Sequence, residues 1–181
     1  MIYLLLGEGF EEAEALVAAD LLRRGGAEVS LVALENRSVT GSHGIAVTAD
    51  LTLDQVDEDA MEMLVIPGGL GGVASIQMNL FALALIQRAY DKGCWLGAIC
   101  AGPTVLANMG FADRRKAVCY PGMEDQMGSA IVQVGAPVVA DGRLITGQAL
   151  GSVFEFSLCL LEAIKGRAAA QKVRDEIHFH G

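Results

Sequence analysis

A chain of 181 residues that is 52% hydrophobic and 19% charged is too apolar to stay disordered and can bury the core of one domain, expected to span 1–181. Its 13 Lys and Arg face 22 Asp and Glu, and the formal net charge of -9 repels nucleic acid and anionic membrane surfaces, which leaves small molecules or protein partners. No apolar run approaches the ~20 residues of a membrane span, and Met1-Ile-Tyr-Leu-Leu-Leu6 carries no basic leader, so a cytoplasmic location is expected.

In chain order, Ile2 to Leu6 reads as a short buried strand, and Glu11 to Arg24 as a helix that Gly25-Gly26 stops. On a 3.6-residue period Glu14 falls on one stripe with Val17, Ala18 and Leu21, the stripe that faces a sheet. Glu11 and Glu12 fall elsewhere and are expected on the surface, as favourable charges in a first helical turn. Glu28 to Leu34 is a second strand, and Ser38 to Ala49 a hairpin whose turn, Gly41-Ser-His-Gly44, carries His43. Met63 to Ile66 is a strand running into Pro67-Gly-Gly-Leu-Gly-Gly72, a loop in which glycine lets main chain approach a ligand. Phe81 to Tyr90 is a helix. Ala117 to Tyr120, Ala130 to Val134, Pro137 to Ala140 and Leu144 to Thr146 are later strands. Ser152 and Glu155 form a capping-box pattern opening a helix from Val153 to Lys165, and the tail Glu176 to Gly181 is expected to fray.

The most informative stretch is Trp95-Leu-Gly-Ala-Ile-Cys-Ala-Gly-Pro103, a strand that breaks sharply at Cys100 before a helix from Thr104 to Met109. A thiol at that bend lies at the carboxyl end of an expected parallel strand, where open α/β sheets hold their sites. It also sits beside a helix N-terminus that favours thiolate, in a turn like the nucleophile elbow of serine hydrolases. The other cysteines, at 94, 119 and 159, have neither zinc-site nor C-x-x-C spacing, and Cys94 would lie ~20 Å from Cys100 along one strand, out of disulfide reach. Cys100 is therefore expected to be the low-pKa thiol.

Gly7-Glu-Gly-Phe-Glu-Glu12 follows a strand but lacks the third glycine of a dinucleotide fingerprint and would repel a pyrophosphate, and the Pro67 loop lacks the Lys-Ser/Thr of a P-loop. No cofactor and no metal site is expected. A cysteine peptidase would need an oriented histidine base, whereas Ala101 follows the cysteine directly. The pair left is Cys100 with an inward Glu14, whose buried carboxylic acid could donate a hydrogen bond to a thiolate.

Gly9-Phe-Glu-Glu-Ala-Glu14, Ile66-Pro-Gly-Gly69, Ala98-Ile-Cys-Ala-Gly-Pro103 and Phe154-Glu-Phe156 together resemble the ThiJ/PfpI superfamily, nearly end to end. The resemblance implies an α/β, flavodoxin-like doubly wound sandwich, with a mostly parallel sheet and helices on both faces, and a homodimer. It also implies Cys100 as a redox-sensitive nucleophile, Glu14 as its protonated partner, and Gly69 and Ala101 as backbone donors to an oxyanion. Two departures are visible. Tyr120-Pro121 stands where many relatives have His-Pro, and Ser42-His43 where relatives often have Ser-Arg, so Tyr120 and His43 are expected in the site wall with weakened affinity for anions. The implied function is a cofactor-independent glyoxalase or deglycase acting on small reactive carbonyl compounds such as methylglyoxal, glyoxal or their early adducts. An oxidative-stress sensor or redox chaperone working through Cys100 is second, and a peptidase or amidase third.

Overall fold

Ile2–Leu6 (β1) is buried along its whole length, as a strand with neighbours on both sides and helices on both faces must be. In the computed structural model, which describes residues 1–180, its alternate side chains enter two separate cores. Ile2, Leu4 and Leu6 meet residues of α1 (Glu12–Arg24) and α5 (Val153–Lys165). Tyr3 and Leu5 meet residues of α2 (Leu70–Met78), α3 (Leu80–Asp91) and α4 (Pro103–Asn108). Each fully buried leucine in these layers contributes roughly 1.5–3 kcal/mol relative to exposure.

The remaining strands are β2 (Val29–Ala33), β3 (Ser38–Thr40), β4 (Ala46–Thr48), β5 (Leu51–Thr52), β6 (Met63–Ile66), β7 (Trp95–Ile99), β8 (Lys116–Ala117), β9 (Ile131–Val132), β10 (Val138–Asp141) and β11 (Leu144–Gly147). Six of them join β1 in a seven-stranded sheet of order β10-β11-β7-β6-β1-β2-β5, parallel except for the β10–β11 hairpin. The chain leaves β1 toward β2 on one side and later fills β6, β7 and β11 on the other. That reversal opens a crevice at the carboxyl ends of β1, β6 and β7, the place where doubly wound sheets bind ligands. A final helix, α6 (Arg167–Glu176), packs on α5.

Several elements differ from the sequence expectation. The stretch read as a glycine loop contains the start of α2, because Gly69, at φ 84, turns the chain straight into a helix. Gly72 sits inside that helix because a Cβ there would stand 2.7 Å from the Phe10 Cα, a close approach that outweighs glycine's poor helix propensity. The segment Ala117 to Tyr120 is paired only at its start; beyond it, Val118 N–H donates to Thr146 Oγ1 at 2.9 Å and Tyr120 N–H to the Cys100 carbonyl at 2.8 Å. The strand expected over Ala130 to Val134 shrinks to Ile131–Val132.

The Ser152 capping box is not formed. That hydroxyl turns back, donating to the Ala149 carbonyl at 2.8 Å and accepting from the Ala149 N–H at 3.2 Å. The tail, expected to fray, is held as far as Phe179, which stacks on Phe154 with ring centroids 5.6 Å apart, and the Arg174 guanidinium lies 5.0 Å from the Phe179 centroid. Gly181 lies outside the described residues. Among those residues no single helix is long and apolar enough to cross a membrane.

Candidate active site

The chain leaves β7 at Ile99 and places Cys100 at φ 63, a left-handed conformation that costs an L-residue roughly 1–2 kcal/mol. Backbone bonds hold it there: Cys100 N–H donates to the Gly147 carbonyl at 3.0 Å, and Gly102 N–H to the Ile99 carbonyl at 2.9 Å. Gly102 has no room for a side chain, since a Cβ would stand 2.6 Å from the Ile66 carbonyl oxygen. Pro103 then starts α4 at the first helical position. The elbow is as expected, but α4 has only six residues, too short for a strong end charge. What favours a thiolate here is local, the main-chain hydrogen bonds of Ala101 and Gly69.

Glu14 is 1% exposed, on the inward stripe of α1 together with buried Ala18 and Leu21. Its Oε2 accepts the Gly68 N–H at 2.8 Å. Its Oε1 is, among the described residues, the one buried side-chain oxygen or nitrogen without a hydrogen-bond partner. Such an orphan is uncommon in a folded protein. A Cβ on Gly68 would lie 2.5 Å from Glu14 Oε2 and 2.9 Å from Cys100 Sγ, so acid and thiol flank this glycine and leave it no side chain.

Burial pushes the Glu14 carboxyl up to about 7, against the lowering effect of the Gly68 N–H and the Cys100 thiol. Burial, followed by the Glu14 charge, pushes the Cys100 thiol up to about 12. The expectation of a low-pKa thiol is therefore corrected: with Glu14 ionised, desolvation and a like charge outweigh the two main-chain donors. Once Glu14 is protonated the repulsive charge is gone, and its O–H can donate to sulfur, so the two groups titrate as a pair.

Above this pair opens a cavity of about 680 Å³. Cys100, Gly69 and Ala101 line its floor, and Glu11, His43, Tyr120, Met123 and Gln126 are among the residues of its wall. Tyr120 and His43 thus stand in the wall as expected, both exposed. Glu12 departs from expectation. It is 4% exposed, because the β3–β4 turn folds over the outer face of α1 and wraps its carboxylate. Glu12 Oε1 accepts the N–H groups of His43 at 2.7 Å and Ile45 at 3.3 Å, and Oε2 lies 2.9 Å from His43 Nδ1.

Burial alone would raise Glu12, but the bonds from the His43 side chain and from the backbone hold it down at about 2. The same carboxylate, with Glu11, raises His43. Donor atoms of Glu11, Glu12 and His43 lie within 4.8 Å of one another, a spacing able to hold a metal ion, although both Glu12 oxygens are already engaged as hydrogen-bond acceptors.

These shifts fix signs. A carboxylate depressed from 4.5 to about 2 contributes stability that is complete above 4.5 and disappears as the pH falls through about 2. Glu12→Gln is therefore expected to destabilise the fold at neutral pH and to flatten the acid limb of its unfolding curve between those values, read by circular dichroism against pH. An unchanged acid limb would show that the turn does not depend on this charge.

Gly68, Glu11 and Glu12 are the residues that sequence reasoning misses or misplaces. For Gly68 the signal is present in two consecutive glycines after Pro67, the second needed for its positive φ and the first for want of space. Glu11 and Glu12 give no local signal, because the turn that covers them is some thirty residues away.

The DJ-1/PfpI family model matches residues 1–163. Protein dj-1beta of Drosophila melanogaster is 36% identical over 171 residues, 93% of this chain and 91% of that protein. A protein of Pyrococcus horikoshii named as a deglycase is 30% identical over 165 residues, 91% of this chain and 99% of its own length. Among solved structures, a DJ-1 superfamily protein from Salmonella typhimurium superposes with a TM-score of 0.93 at 34% identity, covering 99% of this chain and 98% of the other. Toxoplasma gondii DJ-1 in an oxidized form does so with a TM-score of 0.93 at 28% identity, covering 99% and 98%. With a family model over most of its length and relatives matched across nearly the whole of both chains, the chain belongs to the DJ-1/PfpI family.

Proposed function

We propose that this chain is a cofactor-independent cysteine enzyme acting on small reactive carbonyls such as methylglyoxal and glyoxal, with deglycation of their early adducts as a variant of the same chemistry. The observation that carries the reading is the buried, unpaired Oε1 of Glu14 beside a thiol held in a strained elbow. The deglycase names of relatives from Pyrococcus and Thermococcus support the substrate class.

As Cys100 Sγ adds to the aldehyde carbon its S–H proton passes to the Glu14 carboxylate, a C–S bond forms, and the carbonyl electron pair moves to oxygen. The N–H groups of Gly69 and Ala101 face that oxygen as it gains charge, and Glu14 delivers its proton. In the hemithioacetal of methylglyoxal the hydrogen on the former aldehyde carbon is removed as a proton and returned to the neighbouring carbon. The aldehyde is thereby oxidised and the ketone reduced within one molecule. Water then cleaves the resulting thioester, releasing a hydroxy acid and restoring the thiol. These proton transfers fall to Glu14, Cys100 or water.

The second reading, a redox sensor, draws on the Toxoplasma gondii relative described as oxidized. Here peroxide takes Cys100 to a sulfenic and then a sulfinic acid, whose oxygens accept the Glu14 proton. One experiment separates the two: methylglyoxal loss is followed with and without prior peroxide, alongside the mass of the Cys100 peptide. Turnover by untreated protein that vanishes when Cys100 gains oxygen supports the enzyme. Absence of turnover, with stoichiometric oxidation of Cys100 alone, supports the sensor.

The same reading includes a homodimer with His43 near the partner's site, which exposed Ile45 on the hairpin turn and Leu16 on α1 support. Light scattering giving a mass near the 19.0 kDa monomer at micromolar concentration would remove it.

A further inference from the structure

We propose that the mouth of the Cys100 cavity sorts carbonyl substrates by charge, favouring cationic over anionic ones, with Glu11 and Tyr120 as the selecting residues. The inference rests on the reading of Cys100 as the nucleophile and names which substrates reach it. Glu11, His43, Cys100 and Tyr120 are the titratable side chains lining the cavity, and no Lys or Arg is among the described residues that line it. The one candidate cation among them is committed elsewhere: His43 Nδ1 lies 2.9 Å from Glu12 Oε2 and 3.6 Å from Glu11 Oε1. Even a protonated imidazole leaves this group of three at a net charge of -1.

Glu11 is held at the rim by the Ser42 hydroxyl, 3.2 Å from its Oε2. Its charge reaches the reacting pair, since it adds to the upward shift of Glu14 directly below. Tyr120 is 48% exposed and offers a ring edge or face to whatever enters, and an aromatic face attracts a cation and not an anion. An anionic group on a substrate would meet no free cationic side chain among the described residues of the lining, and the Gly69 and Ala101 N–H groups are needed by the carbonyl oxygen. The chain's net charge of -9 acts at longer range with the same sign.

The test reads access to Cys100 without requiring turnover. Two methanethiosulfonates of matched size, one carrying a trimethylammonioethyl group and one a sulfonatoethyl group, are reacted with the protein. In each case Sγ forms a disulfide with the reagent's sulfenyl sulfur as methanesulfinate leaves. Rates at Cys100, assigned by peptide mapping, are normalised to rates with a free small thiol. The normalised cation-to-anion ratio is expected to be about fivefold or more at low salt, which one unit charge about 8 Å away in water gives by acting with opposite sign on the two reagents. It should shrink toward one at high salt and in Glu11→Gln, and fall in Tyr120→Leu but not in Tyr120→Phe. A wild-type ratio of one or below, or a ratio indifferent both to salt and to Glu11→Gln, overturns the proposal. The salt arm needs no variant to fold. If methylglyoxal were not turned over while the ratio held, the enzymatic reading would fall and charge sorting would stand. Turnover with a ratio of one would remove charge sorting alone.

Discussion

Exchanging Cys100 for serine is expected to lower methylglyoxal turnover at least about 10³-fold while shifting the melting temperature by only a few degrees. The two effects separate because the elbow is held by main chain. Cys100 N–H to Gly147 and Tyr120 N–H to the Cys100 carbonyl are indifferent to which atom follows Cβ, and serine is nearly the same size. The chemistry is not indifferent. A serine hydroxyl is a weaker acid and a poorer nucleophile than a thiol, and it reacts only with a dedicated, oriented general base. His43, the imidazole in the cavity wall, is turned toward Glu12. Cys100→Gly should also be inactive and at least as stable as the serine form, since glycine adopts φ 63 without strain. Steady-state rates with thermal melting decide the matter. A serine variant retaining wild-type turnover would place the chemistry on another residue.

What can be read from the sequence follows from local rules. The run Trp95 to Ile99 broken by Cys-Ala-Gly-Pro announces a strand, a bend and a helix start, and the structure places a positive φ at that cysteine. The helical period alone puts Glu14 inside. Both inferences rest on neighbours less than ten residues apart, about two helical turns, where spacing fixes direction.

The failures have a common origin in distant parts of the chain. Glu12 is out of phase with the buried stripe, yet it is buried because a hairpin turn thirty-one residues later folds over it. The first turn of α2 is hidden by glycines that are there for the backbone of Gly9 and Phe10, not for flexibility. A helix end points to an acidic thiol, whereas burial and the carboxyl beside it prevail. Pairing, coverage and desolvation are all properties of the assembled fold, and no window of sequence contains them.

The role of Glu14 follows from that last point and predicts the second large effect. Glu14→Gln should reduce dicarbonyl turnover about 10²-fold or more, because the amide can still donate a hydrogen bond but cannot exchange a proton. The same change should stabilise the protein at alkaline pH. A carboxyl raised from 4.5 to about 7 by burial favours the folded state fully only below 4.5, and its contribution is lost as the pH rises through about 7, where the fold must carry a desolvated charge. Glutamine never carries that charge. Its amide oxygen can accept the Gly68 N–H as Oε2 does, and its NH₂ can occupy the place of the unpartnered Oε1. Stability of the wild type should therefore decline between about pH 4.5 and 7 relative to the variant and level off above that, as measured by urea unfolding at several pH values. Removing the carboxylate should also lower the Cys100 pKa, seen as faster labelling by iodoacetamide at neutral pH. A Glu14→Gln variant that labels faster, melts higher and yet turns over poorly would mark Glu14 as the proton carrier. If the variant instead kept full turnover with an unchanged Cys100 titration, the acid and thiol would not act as a pair, and the buried carboxyl would need another explanation.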